Sequence, residues 1–304
     1  MNGRLPTSWR SGRRGGLRRL TPCGPIQLPQ SVLDRLRGRR EQFEFSARDG
    51  HKSAGYEDGR IVLHEVSAEV VAGLRDEIDR AIEWAEANAT VSPVVASDDM
   101  PEGLREHLRI GRSEIFDGLI LARQSGTLLV TDDLPTREVD RVMGGSGGAW
   151  LHVVFSVALD WKPINFDHYV RWSAHLVDAG HNYLGVSGAV LAQAARLDAA
   201  AGNALGYLFR TLSNMIGGRA AEPISHVQAV VGCLRDLWND HRTVGFRQSV
   251  TGHLLRQLIR ERADYQIILR TVLARSQSTF GLSDYVRGWL QGHFLLHAVL
   301  KQRR

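Results

Sequence analysis

Cysteine is scarce in this chain, with two among 304 residues, Cys23 and Cys233. Neither has a metal-ligand spacing, and one pair cannot build a disulfide framework, so a reducing, cytoplasmic setting is expected. Acidic residues are missing from the beginning: none precedes Asp34, whereas Arg4, Arg10, Arg13, Arg14, Arg18 and Arg19 crowd the first twenty positions. A stretch such as RSGRRGGLRRL cannot build a core, so residues 1–24 are expected to form a disordered tail or linker. The sharper alternative is an arm that grips nucleic-acid phosphates. Long apolar runs are also lacking, which argues against a membrane span, and no apolar region follows the arginines to make a secretory signal.

Several catalytic signatures are absent too. MGGSGGAW, with Gly144, Gly145, Gly147 and Gly148, lacks the Lys-Ser/Thr ending of a phosphate-binding loop and reads as a flexible connection. His293 and His297 in HFLLH have the spacing of a helical metal pair, but no Glu follows His293, and packing on a helix face is the better reading. His175, Asp178 and His181 punctuate the end of an expected helix, where capping suffices.

What remains is a soluble pattern, 43% hydrophobic and 23% charged with a net charge of +5, long enough for one large domain or two ordinary ones. PIQLPQSVLDRLRGRR reads as a short extended segment and then a helix capped by Ser31, with Val32, Leu33 and Leu36 on its packed side. GYEDGRIVLHEV suggests a strand near Arg60 to His64. From Ser67 onward, Val70, Val71, Leu74, Ile78 and Ile82 recur at helical spacing. VSPVVA is a further short strand, and PEGLREHL and SEIFDGLILARQ are helices. From about Phe166 the chain turns helical, with stripes such as Val227, Val230, Val231, Leu234 and Leu237 that call for helix packing. Strands alternating with helices predict an α/β fold with a mainly parallel sheet.

The most informative stretch is SGTLLVTDDLPTR, in which an apolar strand runs into two adjacent like charges, Asp132 and Asp133. In a parallel sheet, ligands bind beyond the carboxyl ends of the strands, where this pair would sit. Asp117, among Ile115, Phe116, Leu119 and Ile120, and Asp34, among Val32, Leu33 and Leu36, are the acids with the fewest polar neighbours. Buried acids require a partner, a proton or a cation. Clustered carboxylates suit a hard ion such as Mg²⁺ or Mn²⁺, which can activate water against a phosphodiester. The plainer alternatives are a helix-dipole position for Asp117, a turn or helix cap for Asp132 and Asp133, and a solvated helix site for Asp34.

DGLILARQSGTLLVTDDLPTR resembles the third and fourth acidic motifs of PIN-like nuclease domains, with Asp117, Thr131, Asp133 and Arg137 at the corresponding places. LPQSVLDRL is similar to the second motif, with Asp34 where a Glu is usual. The layout resembles the PIN-like domain of large bacterial proteins carrying tetratricopeptide repeats and Gre-type elongation-factor domains, over roughly residues 25 to 300. The resemblance implies an α/β PIN-like domain over 25–200 lacking its first strand, followed by an α-helical C-terminal extension over 201–304. It also implies a metal-dependent ribonuclease in which Asp117 and Asp133 ligate Mg²⁺ or Mn²⁺ with Asp34 and Asp132 assisting. Asp34, Asp117 and Asp133 would form the catalytic set, with Thr131 and Arg137 toward an RNA substrate. The sequence departs from the family by supplying no acid for the first motif. The alternative is therefore a non-catalytic interaction module of a bacterial regulatory or conflict system, with protein partners met through the helical extension and no membrane.

Overall fold

Ser67 shows how local chemistry sets the first long helix. Its side chain accepts a hydrogen bond from the Val70 N–H, and the helix runs from Ala68 to Asn88. The computed structural model describes residues 25–46, 50–57, 60–94, 102, 105, 114–145, 147–181, 184–218, 222–293 and 295–300. The Arg-rich tail with Cys23 and most of PEGLREHL lie outside the described residues. Where the described chain is dense enough to divide, it does so between Val154 and Phe155 into two units.

The first unit begins with β1 (Ile26–Pro29), α1 (Gln30–Ser46), β2 (His51–Glu57), β3 (Arg60–Val66), α2 (Ala68–Asn88) and β4 (Ala89–Ser92). The extended segment before the first helix is thus a strand, and it pairs in parallel with β4, Ile26 opposite Ala89 through Pro29 opposite Ser92. Parallel neighbours need a long crossover, which α1 and α2 supply. Leu33, Ile82 and Ala85 form the buried centre of this layer, with Leu28, Leu36, Ile78 and Val91 packed around it. Two expectations fail here. Helix α1 starts at Gln30, so Ser31 sits inside its first turn, where its hydroxyl has no partner among the described residues. Val70 and Leu74 are exposed, because the buried side of α2 is centred on Val71, Ile82 and Ala85. The strand expected in GYEDGRIVLHEV is one arm of an antiparallel hairpin, β2 with β3, paired from His51–Val66 to Glu57–Arg60.

The unit continues with α3 (Glu114–Ser125) and α4 (Leu134–Val142), and α5 (Leu151–Asp160) carries the chain across the division. A second small core joins Leu119, Ile120, Ala122 and Leu129, with Phe116, Val139 and Met143 against it.

The second unit is helical: α6 (Phe166–Asp178), α7 (Gly188–Ala200), α8 (Tyr207–Ser213), α9 (Pro223–Asn239), α10 (Arg247–Ile259), α11 (Tyr265–Ser276), α12 (Leu282–Gly292) and α13 (Leu296–Leu300). The stripe on α9 is buried as expected, with Val230, Leu234 and Leu237 fully enclosed. Helix α7 meets α9 through Gly188, where an added Cβ would lie 2.5 Å from the Cys233 nitrogen. His293 and His297 do not share a helix: α12 stops at Gly292, and His293 stacks on Trp289 with ring centroids 4.1 Å apart. Helix α6 ends at Asp178 and the His181 N–H closes its last turn on the Leu176 carbonyl, so this His–Asp group does lie at a helix end. No helix among the described residues is long and apolar enough to cross a membrane.

Two histidines tie this unit to pH. His226 Nδ1 accepts the Gly217 N–H at 2.9 Å, and His253 Nε2 lies 2.9 Å from the Ser213 hydroxyl. Burial, with nearby arginines, holds both imidazoles below the ordinary value of 6.5. The unfolded chain therefore binds protons first, so stability is full above pH 6.5 and falls as the pH drops below it. Thermal denaturation should give a lower melting temperature at pH 5 than at pH 7.5, with a shallower dependence in His226→Gln. An unchanged slope in that variant would remove His226 as a cause.

Candidate functional site

The site expected from sequence lies along the segment that leaves α3. Gly126, at φ +63°, reverses the chain, and the Thr127 N–H closes the helix end on the Ala122 carbonyl at 2.9 Å. Residues 127–131 then run extended, with Leu129 buried and Leu128 and Val130 exposed, the alternation of a one-sided strand. The expected strand TLLVT is reduced to a single parallel bridge, Val130 with Ala149. The Thr131 N–H donates to the Ala149 carbonyl at 2.9 Å, and the Ala149 N–H to the Leu129 carbonyl at 2.8 Å. Among the described residues, one short return segment reaches this strand, and no longer ladder forms there.

The two adjacent aspartates escape mutual repulsion by serving different helices. Asp133 is the N-cap of α4: its carboxylate accepts the Thr136 N–H at 2.8 Å and the Thr136 hydroxyl, and Pro135 follows in the first turn. The Thr131 hydroxyl accepts the Asp133 N–H at 3.3 Å, which fixes the turn into the cap. Asp132 reaches forward instead and accepts the N–H of Leu151, the first residue of α5, at 3.0 Å. Each carboxylate thus meets the positive end of a helix dipole.

A third carboxylate, Asp140, is the most enclosed of this group. It is 3% exposed, and its Oδ2 accepts the Gly147 N–H at 2.8 Å while its backbone carbonyl accepts the Gly145 N–H at the same distance. The glycine run is accordingly a fastened turn and not the slack connection expected. A Cβ on Gly145 would overlap the Asp140 carboxylate, and one on Gly148, at φ +65°, would lie 2.9 Å from the Leu129 carbonyl oxygen. The Arg137 guanidinium lies 4.6 Å above the Trp150 ring, and its Nε is buried without a hydrogen-bond partner among the described residues. Asp140 and its glycines were missed in the sequence. A signal existed, because Asp140 follows Thr136 by four residues on one face of α4, and both are buried.

The remaining expected residues lie elsewhere. Asp34 is exposed on α1, accepting the Gln30 amide at 2.8 Å and facing Arg37 at 3.7 Å, so the expectation of a buried acid is overturned. It follows Leu33 by one step, which turns it about 100° away from the packed side. Asp117 is half-buried in α3 and accepts no hydrogen bond among the described residues. It lies in the first turn of α3, and the chain doubles back at Gly126, so it stands toward the same end of this helix–strand unit as Asp132 and Asp133. At the opposite end a cavity of 490 Å³ opens beside Ala122, Arg123, Thr127, Leu129 and Asp140. Among the described residues, no three His, Cys, Asp or Glu side chains are grouped so as to hold a metal ion.

Residues 20–142 match the sequence model of a family described as the PIN domain associated with the TPR-GreAB-C-PIN system. Over this segment the chain is similar to the PIN domain of that family. The PIN match ends at Val142, so the glycine turn and the start of α5, which receive Asp140 and Asp132, follow it directly. No curated protein and no solved structure matches the chain.

Asp133→Ala removes a helix cap and is expected to cost about 1–2 kcal/mol. Gly148→Ala combines a disfavoured backbone region with a carbonyl clash and should cost roughly 1–3 kcal/mol or more. Urea denaturation followed by tryptophan fluorescence compares them. A neutral Asp133→Ala would mean that the carboxylate is not spent on the cap.

Proposed function

We propose that the PIN domain of this chain is a non-catalytic docking module in a bacterial regulatory or conflict system, with protein as its partner class. The observation that supports this reading is the occupation of the strand-end carboxylates. PIN domains typically use divalent metals. A hard divalent ion needs several oxygens converging with lone pairs available. Here the Asp132 and Asp133 carboxylates accept helix N–H groups, and Asp34 is solvated beside Arg37. β1, with the sequence IQLP, contributes no acid. The described donor set does not fit a resident Mg²⁺ or Mn²⁺.

A second reading, a ribonuclease, draws on Asp117 alone, which is half-buried and without a hydrogen bond among the described residues. In that reading Asp117 and Asp133, aided by Asp34 and Asp132, would hold the ion, and Thr131 and Arg137 would face RNA. Stacking on Trp150 works against the last role, since the guanidinium is already engaged on a ring face.

Calorimetric titration of the full chain with Mn²⁺, paired with an RNA-cleavage assay, separates the two. The docking reading expects no saturable heat that depends on Asp117, and equal cleavage by wild type and Asp117→Ala. Tight Mn²⁺ binding abolished by Asp117→Ala, together with Mn²⁺-dependent cleavage lost in the same variant, would reinstate the nuclease.

A further inference from the structure

The β2–β3 hairpin presents a face that the described residues leave uncovered. Residues directly opposite on antiparallel strands share a face, as do alternate residues along each strand. The register places Lys52, Ala54 and Tyr56 beside Glu65, Leu63 and Ile61 respectively. Tyr56 and Ile61 are each 76% exposed and Leu63 is 75% exposed. Three large apolar side chains on one open sheet face are a liability in water, and a two-stranded hairpin is marginal without something packed on it.

We propose that a second copy of this chain covers this face, hairpin against hairpin, about a two-fold axis parallel to the strands. That axis lays β2 of one copy over β3 of the other and keeps each level of the ladder in step. Tyr56 then meets Ile61 of the second copy. Ala54, the one small residue in the face, receives Leu63. Lys52 meets Glu65, and the existing Lys52–Glu65 pair, 3.2 Å apart with both side chains well exposed, becomes an alternating group of four charges. The perpendicular axis would instead press Tyr56 and Ile61 onto Lys52 and Glu65, so the charges select the first arrangement. Each large side chain offers on the order of 150 Å². With the flanking residues, two copies cover roughly 1,000 Å², the lower edge of specific interfaces, so association in the micromolar range is expected.

Sedimentation equilibrium of the full chain tests this. The wild type should shift from monomer toward dimer as its concentration rises through the micromolar range. Leu63→Glu should weaken the association at least about tenfold, with circular dichroism checking that the fold is kept. Lys52→Glu and Glu65→Lys should each self-associate poorly, whereas an equimolar mixture of the two should associate at least as well as wild type, because only then do opposite charges meet across the axis. Both positions are exposed, and circular dichroism checks each charge variant as well, so the mixture remains informative if Leu63→Glu misfolds. A wild type that stays monomeric throughout overturns the proposal. So does a dimer indifferent to Leu63→Glu or a mixture no tighter than its components.

Discussion

The Asp132 carboxylate, bonded to the Leu151 N–H nineteen positions on, ties the end of the extended segment to the start of a helix. The rest of the local architecture depends on that tie. It brings the return segment alongside residues 129–131, where Ala149 can complete the one parallel bridge. It places Trp150 under Arg137 and leaves Asp140 to take the Gly147 N–H inside the turn. Buried backbone donors must find acceptors, and here side-chain carboxylates are the acceptors supplied.

This arrangement explains how two adjacent acidic residues can end an extended segment without facing each other. Two negative charges on neighbouring residues repel when they share a space. Asp132 and Asp133 do not share one, because they point at the N-termini of different helices, α5 and α4. Each cap contributes about 1 kcal/mol, a modest sum that works through geometry as much as energy. In the segment that matches the PIN family model, Asp132 and Asp133 thus each accept a helix N–H.

Much of this fold was legible in the sequence wherever apolar spacing was long and regular. The stripe of α9 and the helix that follows Ser67 were visible, since apolar spacing is a property of a few adjacent turns. The hairpin was half visible: β3, RIVLHEV, has strand composition, whereas β2, HKSAGYE, is too polar and small to announce itself. A cap at Asp133 and a solvated site at Asp34 were among the readings the sequence offered, because both are local: Asp133 meets an N–H three residues on, and Asp34 faces Arg37 three residues on. At Asp34, one step along a helix separates a core position from an exposed one. The employment of Asp132 depends on what the chain brings back to it nineteen residues later, and no local spacing carries that. The glycine turn was misread for a related reason: composition suggested slack, while close approach to Asp140 and Leu129 is what requires glycine there.

Amide hydrogen exchange on the full chain, with and without millimolar Mn²⁺, tests the central claim most directly. If the carboxylates of Asp132, Asp133 and Asp140 are acceptors for the Leu151, Thr136 and Gly147 amides, those three should exchange slowly and at the same rate in both conditions. Faster exchange at Leu151 and Thr136 when Mn²⁺ is added would show the carboxylates leaving their helices for a metal, and would contradict the account.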